Sequence, residues 1–126
     1  MKKLLKLSAL LLISSMLLIG CGSSKIYNVQ HSKIDNQKSA KVVYQAIREA
    51  GQSLGWKITN VKPGEAQGKL YLRTHVAVVR INYNSSAFSI HYVNSQNLDY
   101  NAKKQTIHSN YNGWIQNLEK AIDVRL

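Results

Sequence analysis

The most restrictive feature of this sequence is the alternation that runs between residues 66 and 93. Apolar or small side chains occupy every second position in three successive stretches, with mostly polar side chains between them. The alternating positions are Ala66, Gly68, Leu70 and Leu72, then Ala77, Val79, Ile81 and Tyr83, then Phe88, Ile90 and Tyr92. A period of two is typical of a β-strand with one buried face. The pattern predicts an antiparallel meander that is covered on one side and open to water on the other.

Turn signals separate these stretches, and a further alternating stretch precedes the first of them. Trp56-Lys57-Ile58-Thr59 alternates in the same way, and the proline and glycine of Lys62-Pro63-Gly64-Glu65 favour a turn directly after it. Thr74-His75 and Asn84-Ser85-Ser86 are the other candidate turns. We therefore expect three to four strands.

Helical periodicity flanks the predicted meander on both sides. The first stripe has spacings of 3 and 4, which place its members on one helix face: Ala40, Val43, Ile47, Ala50 and Leu54. Asn36 or Ser39 is a candidate N-cap, and Gly55 is placed to end the helix in a left-handed conformation. The second helix is expected from about Asn110 to Val124, with Ser109 or Asn110 as its cap.

The predicted order of elements is α-β-β-β-β-α over residues 39–126. A sheet with one apolar face needs a cover, and two amphipathic helices supply it. The expected fold class is α+β, a two-layer sandwich of a three- to four-stranded antiparallel meander with two helices on one face. The length of 126 residues suits a single domain.

The amino terminus reads as an export signal. Lys2, Lys3 and Lys6 precede an uncharged, leucine-rich run from Leu7 to Ile19. As a helix this run would be about 20 Å long, short of the roughly 30 Å hydrocarbon core of a bilayer. A short apolar run behind a basic start is typical of a secretory signal peptide, here residues 1–20.

Leu18-Ile19-Gly20-Cys21 ends this segment and contains the only cysteine of the chain. The tetrapeptide resembles the lipobox of bacterial lipoproteins. The resemblance implies that the Cys21 sulfur is acylated, that the chain is cleaved before Cys21, and that the new amino terminus is acylated as well. The bilayer is then the first expected partner, because several acyl chains anchor a protein stably where one is only marginal. An ordinary signal peptide followed by a chance cysteine, or an uncleaved anchor, is the alternative.

The residues after the cysteine suggest where the protein resides. Gly22 stands where an aspartate favours inner-membrane retention in enterobacteria, so we expect an outer-membrane anchor facing the periplasm. Residues 21–38 are polar and are expected to form the lipidated amino terminus and a tether. Within them, Ile26-Tyr27-Asn28-Val29 is a candidate edge strand or docking segment.

The charge balance narrows the expected partners. Residues 21–126 keep 14 of the 17 Lys and Arg residues and all 6 acidic residues, a net charge of +8. An exported basic domain meets anionic envelope components before nucleic acid, so nucleic acid is not an expected partner. An anionic envelope component or an envelope protein is expected instead, although the charge would also serve solubility alone.

Alternation places a set of basic and aromatic side chains on the open face of the sheet. This candidate binding face contains Lys69, Tyr71, Arg73, Val78, Arg80, Asn82, Ser89, His91 and Val93. Basic groups interleaved with Tyr suit an anionic glycolipid, a peptide strand or a protein partner. A plain solvated face or a self-association surface is the alternative.

A second candidate site lies at the start of the last helix. His108, Tyr111 and Trp114 occur there among several asparagines, and Ser95, Asn97 and Tyr100 come from the preceding loop. These residues predict a polar-aromatic pocket, unless Tyr111 and Trp114 simply fill the core.

Catalytic and metal-binding motifs are missing from the sequence. It has no G-x-S-x-G, no HExxH and no glycine-rich phosphate loop, and its acids form no close pair. We expect no cofactor, no metal and no enzymatic activity. The alternative function is a small wall- or lipid-modifying enzyme that uses His108 and Asp99.

Several motifs in residues 39–122 resemble a group of small Gram-negative lipoproteins that has no assigned activity. They are Leu54-Gly55-Trp56, the segment 77–83, Phe88-Ser89-Ile90-His91-Tyr92, Ser95-Gln96-Asn97-Leu98, and Ile107-His108 with the segment 111–118. The resemblance implies export and a similar fold, and it adds no catalytic residue.

Overall fold

The computed structural model describes residues 22–126. The predicted signal peptide and Cys21 lie outside the described residues. The fold belongs to the α+β class, as the sequence predicts, with two helices and antiparallel strands. Its elements in chain order are β1 (Ser23–Lys25), β2 (Val29–Lys33), α1 (Ala40–Ser53), β3 (Trp56–Lys62), β4 (Glu65–Leu72), β5 (His75–Tyr83), β6 (Ala87–Gln96), β7 (Thr106–His108) and α2 (Ser109–Asp123).

The central sheet has five strands in the order β2-β6-β5-β4-β3, and β1 pairs with β7 in a separate two-stranded sheet. The segment β3 to β6 is the meander that alternation predicts. The prediction of three to four strands was too low, because β1, β2 and β7 are too short or too polar to alternate recognisably. The expected order α-β-β-β-β-α is accordingly incomplete at its start and before α2.

The segment 22–38 is part of the fold and not the tether that its composition predicts. Val29 pairs with Ile90 of β6, and both Val29 and Ile34 are buried. The polar side chains serve as hydrogen-bonding groups, since Asn28 Oδ1 accepts from the backbone N–H of Tyr92 at 3.0 Å. Composition misses this because a strand at a sheet edge needs few apolar residues.

Helix α1 follows its sequence signals closely. The Ser39 side chain caps it by accepting from the Val42 N–H at 3.2 Å, and Gly55 just beyond it has a φ of 87°. Val43 and Ile47 are fully buried. Gly51 also faces the sheet, because a Cβ at this position would clash with Ile58 Cγ1 of β3.

Helix α2 starts one residue earlier than expected and has a different cap. His108 is the N-cap, and its Nδ1 accepts from the Asn110 N–H at 3.2 Å. Neither predicted cap, Ser109 or Asn110, takes that role. The strand β7 runs directly into the helix, which places the imidazole where a serine or asparagine side chain usually stands.

Both helices share one core with the inner face of the central sheet. Tyr111, Ile115, Leu118 and Ile122 of α2 are buried in the same cluster as Val43, Ile47 and Ala50 of α1. Ala40 and Leu54, the two ends of the predicted stripe, are exposed instead. The strands contribute Trp56, Ile58, Ala66, Leu70, Ala77, Val79, Ile81, Tyr83, Phe88 and Ile90. The opposite face of the sheet carries the intervening residues, which are exposed or half-buried.

Candidate binding surface

The open face of the central sheet presents side chains from four adjacent strands, β3 to β6. Strand register arranges them in rows that run across the sheet. We define the open face by these residues: Lys57, Thr59, Gln67, Lys69, Tyr71, Val76, Val78, Arg80, His91, Asn94 and Gln96. Five residues of the predicted binding face are among them: Lys69, Tyr71, Val78, Arg80 and His91. Asn82 and Ser89 pair with each other and continue the same face, while Val93 lies at the register irregularity between β5 and β6.

Two lysines face each other directly on this surface. Lys57 of β3 and Lys69 of β4 are register partners, and Lys69 is in turn the partner of Val78 on β5. Like charges directly opposite one another on neighbouring strands destabilise a sheet. The pair therefore contributes positive charge to the open face at a cost to the fold.

The next row carries a second basic group. Arg80 of β5 lies between Gln67 of β4 and His91 of β6. Arg80 is exposed, whereas Val79 and Ile81 on either side of it are fully buried. Glu65 is the acidic residue of strands β3 to β6. It is the register partner of Asn82 and lies beside the β3–β4 turn.

Two shallow depressions meet at Lys69 and Tyr71. One of about 180 Å³ is lined on its other side by Lys57, Thr59 and Gln67. The other, of about 220 Å³, is lined by residues of β5 and β6: Val76, Val78, Asn94, Ser95 and Gln96. The Tyr71 ring stands between them and is 64% exposed. Together they form a surface that offers ammonium groups, amides and one aromatic ring.

Arg73 does not lie on the open face. β4 ends at Leu72, and Arg73 occupies the β4–β5 turn with a φ of 57°. The sequence predicts the turn at Thr74-His75 and therefore predicts, wrongly, that Arg73 continues the alternation of β4. The turn is tied by Asn97, whose side chain donates to the Thr74 carbonyl at 2.8 Å and whose carbonyl lies 2.7 Å from His75 Nδ1.

The aromatic residues of the second candidate site pack on one another. Tyr111 is fully buried, and its ring meets the Tyr92 ring edge-on at 5.8 Å. Tyr92 stacks on Tyr100 at 4.3 Å, and its hydroxyl forms a 2.7 Å hydrogen bond with Ser95. Ser95 and Tyr100, which the sequence assigns to this site, thus both contact Tyr92 of β6. Tyr111 has no exposed surface for a ligand.

The Tyr111 hydroxyl lacks a hydrogen-bond partner among the described residues. Burial raises the pKa of the Tyr111 phenol well above its ordinary value, and the nearby Tyr92 adds to the effect. The neutral hydroxyl is therefore the form present at physiological pH. It faces the core and not a binding surface.

His108 has a structural role, because its side chain caps α2. Because Nδ1 accepts from Asn110, the ring proton is carried by Nε2. The His108 ring lies 6.4 Å from the His75 ring, and His75 lies 6.2 Å from Trp114. Asp99, the other residue of the alternative enzyme hypothesis, is exposed beside the buried Leu98. That hypothesis stays a prediction.

Residues 22–126 contain no group of three or more His, Cys, Asp or Glu side chains arranged to hold a metal ion. Neither helix in this part of the chain has the length and apolar character needed to cross a membrane.

The sequence analysis did not point out six residues of the open face: Lys57, Thr59, Gln67, Val76, Asn94 and Gln96. Alternation in β3 does assign Lys57 to the open side. Its position opposite Lys69 depends on the register of β3 against β4, which the residues themselves do not give.

Comparisons with protein-family models, with curated proteins and with solved structures found no match to this chain. The resemblance to small Gram-negative lipoproteins therefore remains a prediction from the sequence.

Proposed function

We propose that this chain is a membrane-anchored lipoprotein of the bacterial envelope that acts as a non-enzymatic binding or assembly module. Acylated Cys21 holds it in the outer membrane, facing the periplasm. The open face binds an anionic envelope component, such as a lipopolysaccharide or an anionic wall polymer. Phosphate and carboxylate groups are the ligands that suit its ammonium and guanidinium groups.

The opposed lysines are the observation that carries this proposal. A sheet that served only as a scaffold would gain stability from Thr or Glu at one of the two positions. An anion seated between Lys57 and Lys69 relieves their repulsion, and Arg80 in the next row extends the positive surface. Tyr71 adds an aromatic surface beside them for a sugar ring or an apolar group.

The test measures binding of fluorescent lipopolysaccharide to the acylated protein reconstituted in neutral vesicles. The double variant Lys69→Glu and Arg80→Glu should bind at least about tenfold more weakly, since one positive charge in each of two rows is reversed. Binding to the unmodified protein should also weaken as salt is raised, because exposed charges are screened.

The double variant Lys41→Glu and Arg48→Glu is the control for the change in charge, since it also reverses two positive charges, and Arg48 is likewise exposed on α1. Lys41 is exposed in the first turn of α1, on the helix layer and away from the open face. This variant should bind like the parent. If the open-face double variant binds lipopolysaccharide as tightly as the parent, and the two have the same circular dichroism spectrum, the open face is not the binding surface.

A further inference from the structure

The amino-terminal strand is fastened firmly to the rest of the domain. Asn112 of α2 accepts from the Tyr27 N–H at 2.9 Å and donates to the Lys25 carbonyl at 2.8 Å. The Tyr27 hydroxyl donates to Glu119 at 2.8 Å, and the Ile26 N–H donates to the Gln105 carbonyl at 2.9 Å. The path of the chain is therefore fixed from Ser23 onward.

Ser23 lies at one particular end of the molecule. It is the register partner of His108, where β7 ends and α2 begins. The His75 ring lies near both His108 and Trp114, so the β4–β5 turn is at this same end. We call this the anchor end and define it by Ser23, the segment 72–75, Asn97, His108 and the first turn of α2.

The opposite end is formed by other turns. The β3–β4 turn meets the end of β5, where the Tyr83 N–H donates to the Gly64 carbonyl at 2.9 Å. The β5–β6 turn meets the approach to α1 through a bond from the Lys38 N–H to the Ser85 carbonyl at 3.2 Å. Strand β5, with 9 residues, separates the two ends by about 30 Å.

Only Gly22 separates Ser23 from Cys21. Two residues of extended chain reach about 7 Å, which is far less than the distance between the two ends. Acyl chains attached at Cys21 enter the hydrocarbon core and hold this residue at the head-group layer, so Ser23 stays within about 7 Å of that layer. A domain fastened so closely cannot turn its opposite end to the bilayer.

The surface of the anchor end suits a lipid head-group layer. Leu72 is 43% exposed at the end of β4, and Arg73 follows it at the tip of the turn. Leu54, also exposed, lies at the same end, because Trp56 two residues later pairs with Leu70. Exposed leucines beside an arginine combine apolar contact with attraction to lipid phosphates.

We infer that the anchor end is the membrane-facing surface of this protein, with Leu72 and Arg73 in the phospholipid head-group layer. The inference rests on the acylation of Cys21 in the proposed function. The strands then stand upright on the bilayer, and the open face points sideways into the periplasm. The short connection between Cys21 and Ser23 therefore sets the orientation in which the open face meets its ligand.

A site-specific probe tests this orientation in the intact, acylated protein. Since Cys21 is the only cysteine and is acylated, Thr74→Cys introduces a single free thiol in the exposed β4–β5 turn. A fluorophore on it is quenched by spin-labelled lipid head groups in vesicles of phosphatidylethanolamine and phosphatidylglycerol. Lys62→Cys, exposed at the opposite end of the same sheet, is the matched control.

Quenching at position 74 should exceed quenching at position 62 at least about threefold, because about 30 Å of strand separates the two probes. Leu72→Cys provides a second position if labelling at residue 74 disturbs the turn. Equal quenching at the two ends, or stronger quenching at position 62, would overturn the inference.

A longer connection between Cys21 and Ser23 tests whether its shortness causes this orientation. About 15 Gly and Ser residues inserted between Gly22 and Ser23 give a root-mean-square reach of about 20 Å. The ratio of quenching at positions 74 and 62 should then fall towards one. An unchanged ratio would show that the short connection does not set the orientation.

Mass spectrometry and vesicle flotation separate the two possible failures. A chain without acyl groups that does not float with vesicles would overturn the proposed anchoring, and this inference with it. An acylated chain that floats, but whose two probes are quenched equally, would overturn this inference alone.

Discussion

The two faces of the central sheet differ in what they contribute, although they are made from the same strands. On β5, Ala77, Val79 and Ile81 have no exposed surface and pack under the helices, while Arg80 between them is exposed. The covered face supplies the apolar burial that stabilises the fold. The open face contains a like-charged pair that costs stability. Alternation along each strand thus separates the residues of the proposed binding surface from those of the core, and substitutions should separate their effects too.

The largest expected difference in the free energy of unfolding is between substitutions at two neighbouring positions of β5. Ile81→Ala should lower the free energy of unfolding by about 2–5 kcal/mol, because it leaves a cavity in a fully buried site. Arg80→Ala, one residue away on the open face, should change it by no more than about 0.5 kcal/mol. Urea denaturation followed by circular dichroism measures both. Equal losses would show that the open face is also part of the stabilising core.

Two helix glycines sharpen the comparison. Gly51→Ala should destabilise the protein by about 1–3 kcal/mol, because its new Cβ meets Ile58 on the covered face. Gly113→Ala should instead stabilise it by up to about 1 kcal/mol, since a Cβ there meets nothing within 4 Å and alanine favours the helix. Opposite shifts in melting temperature are the expected result, and shifts of the same sign would contradict the described packing of α1.

The smallest effect is expected at the opposed lysines. Lys57→Thr should raise the free energy of unfolding by about 0.2–1 kcal/mol, because it removes a like-charge contact and introduces a residue that favours strands. The same variant should bind lipopolysaccharide more weakly than the parent. The gain in stability should shrink at high salt, where the repulsion is already screened. A loss of stability would mean that Lys57 stabilises the sheet.

Much of the fold follows from local signals. The α1 cap at Ser39, the left-handed Gly55 and the turn at Pro63-Gly64 lie where the sequence predicts them. The alternation of β5 gives the correct residues to each face. These predictions hold because each depends on neighbours within a few residues along the chain.

The errors arise where distant segments decide the structure. The segment 22–38 is polar, and its strands exist because β6 and β7 offer them hydrogen bonds. Arg73 lies in the turn and not on the open face, because the turn begins one residue earlier than the local signal predicts. His108 caps α2 because β7 leads straight into the helix. In each case a remote segment is involved: β2 pairs with β6, the turn at Arg73 is bonded to Asn97, and β7 pairs with β1.

The sequence by itself determined the α+β class, the meander, the division of β5 into a buried and an open side, and the motif on which export and acylation are predicted. The tertiary structure alone decided that Lys57 opposes Lys69 and that Ser23 lies beside His108 at one end of the molecule. Alternation and periodicity are properties of a single segment, so they can be read from residue types. Register and strand order depend on which segments pair, and that choice is made by hydrogen bonds and packing across the whole domain.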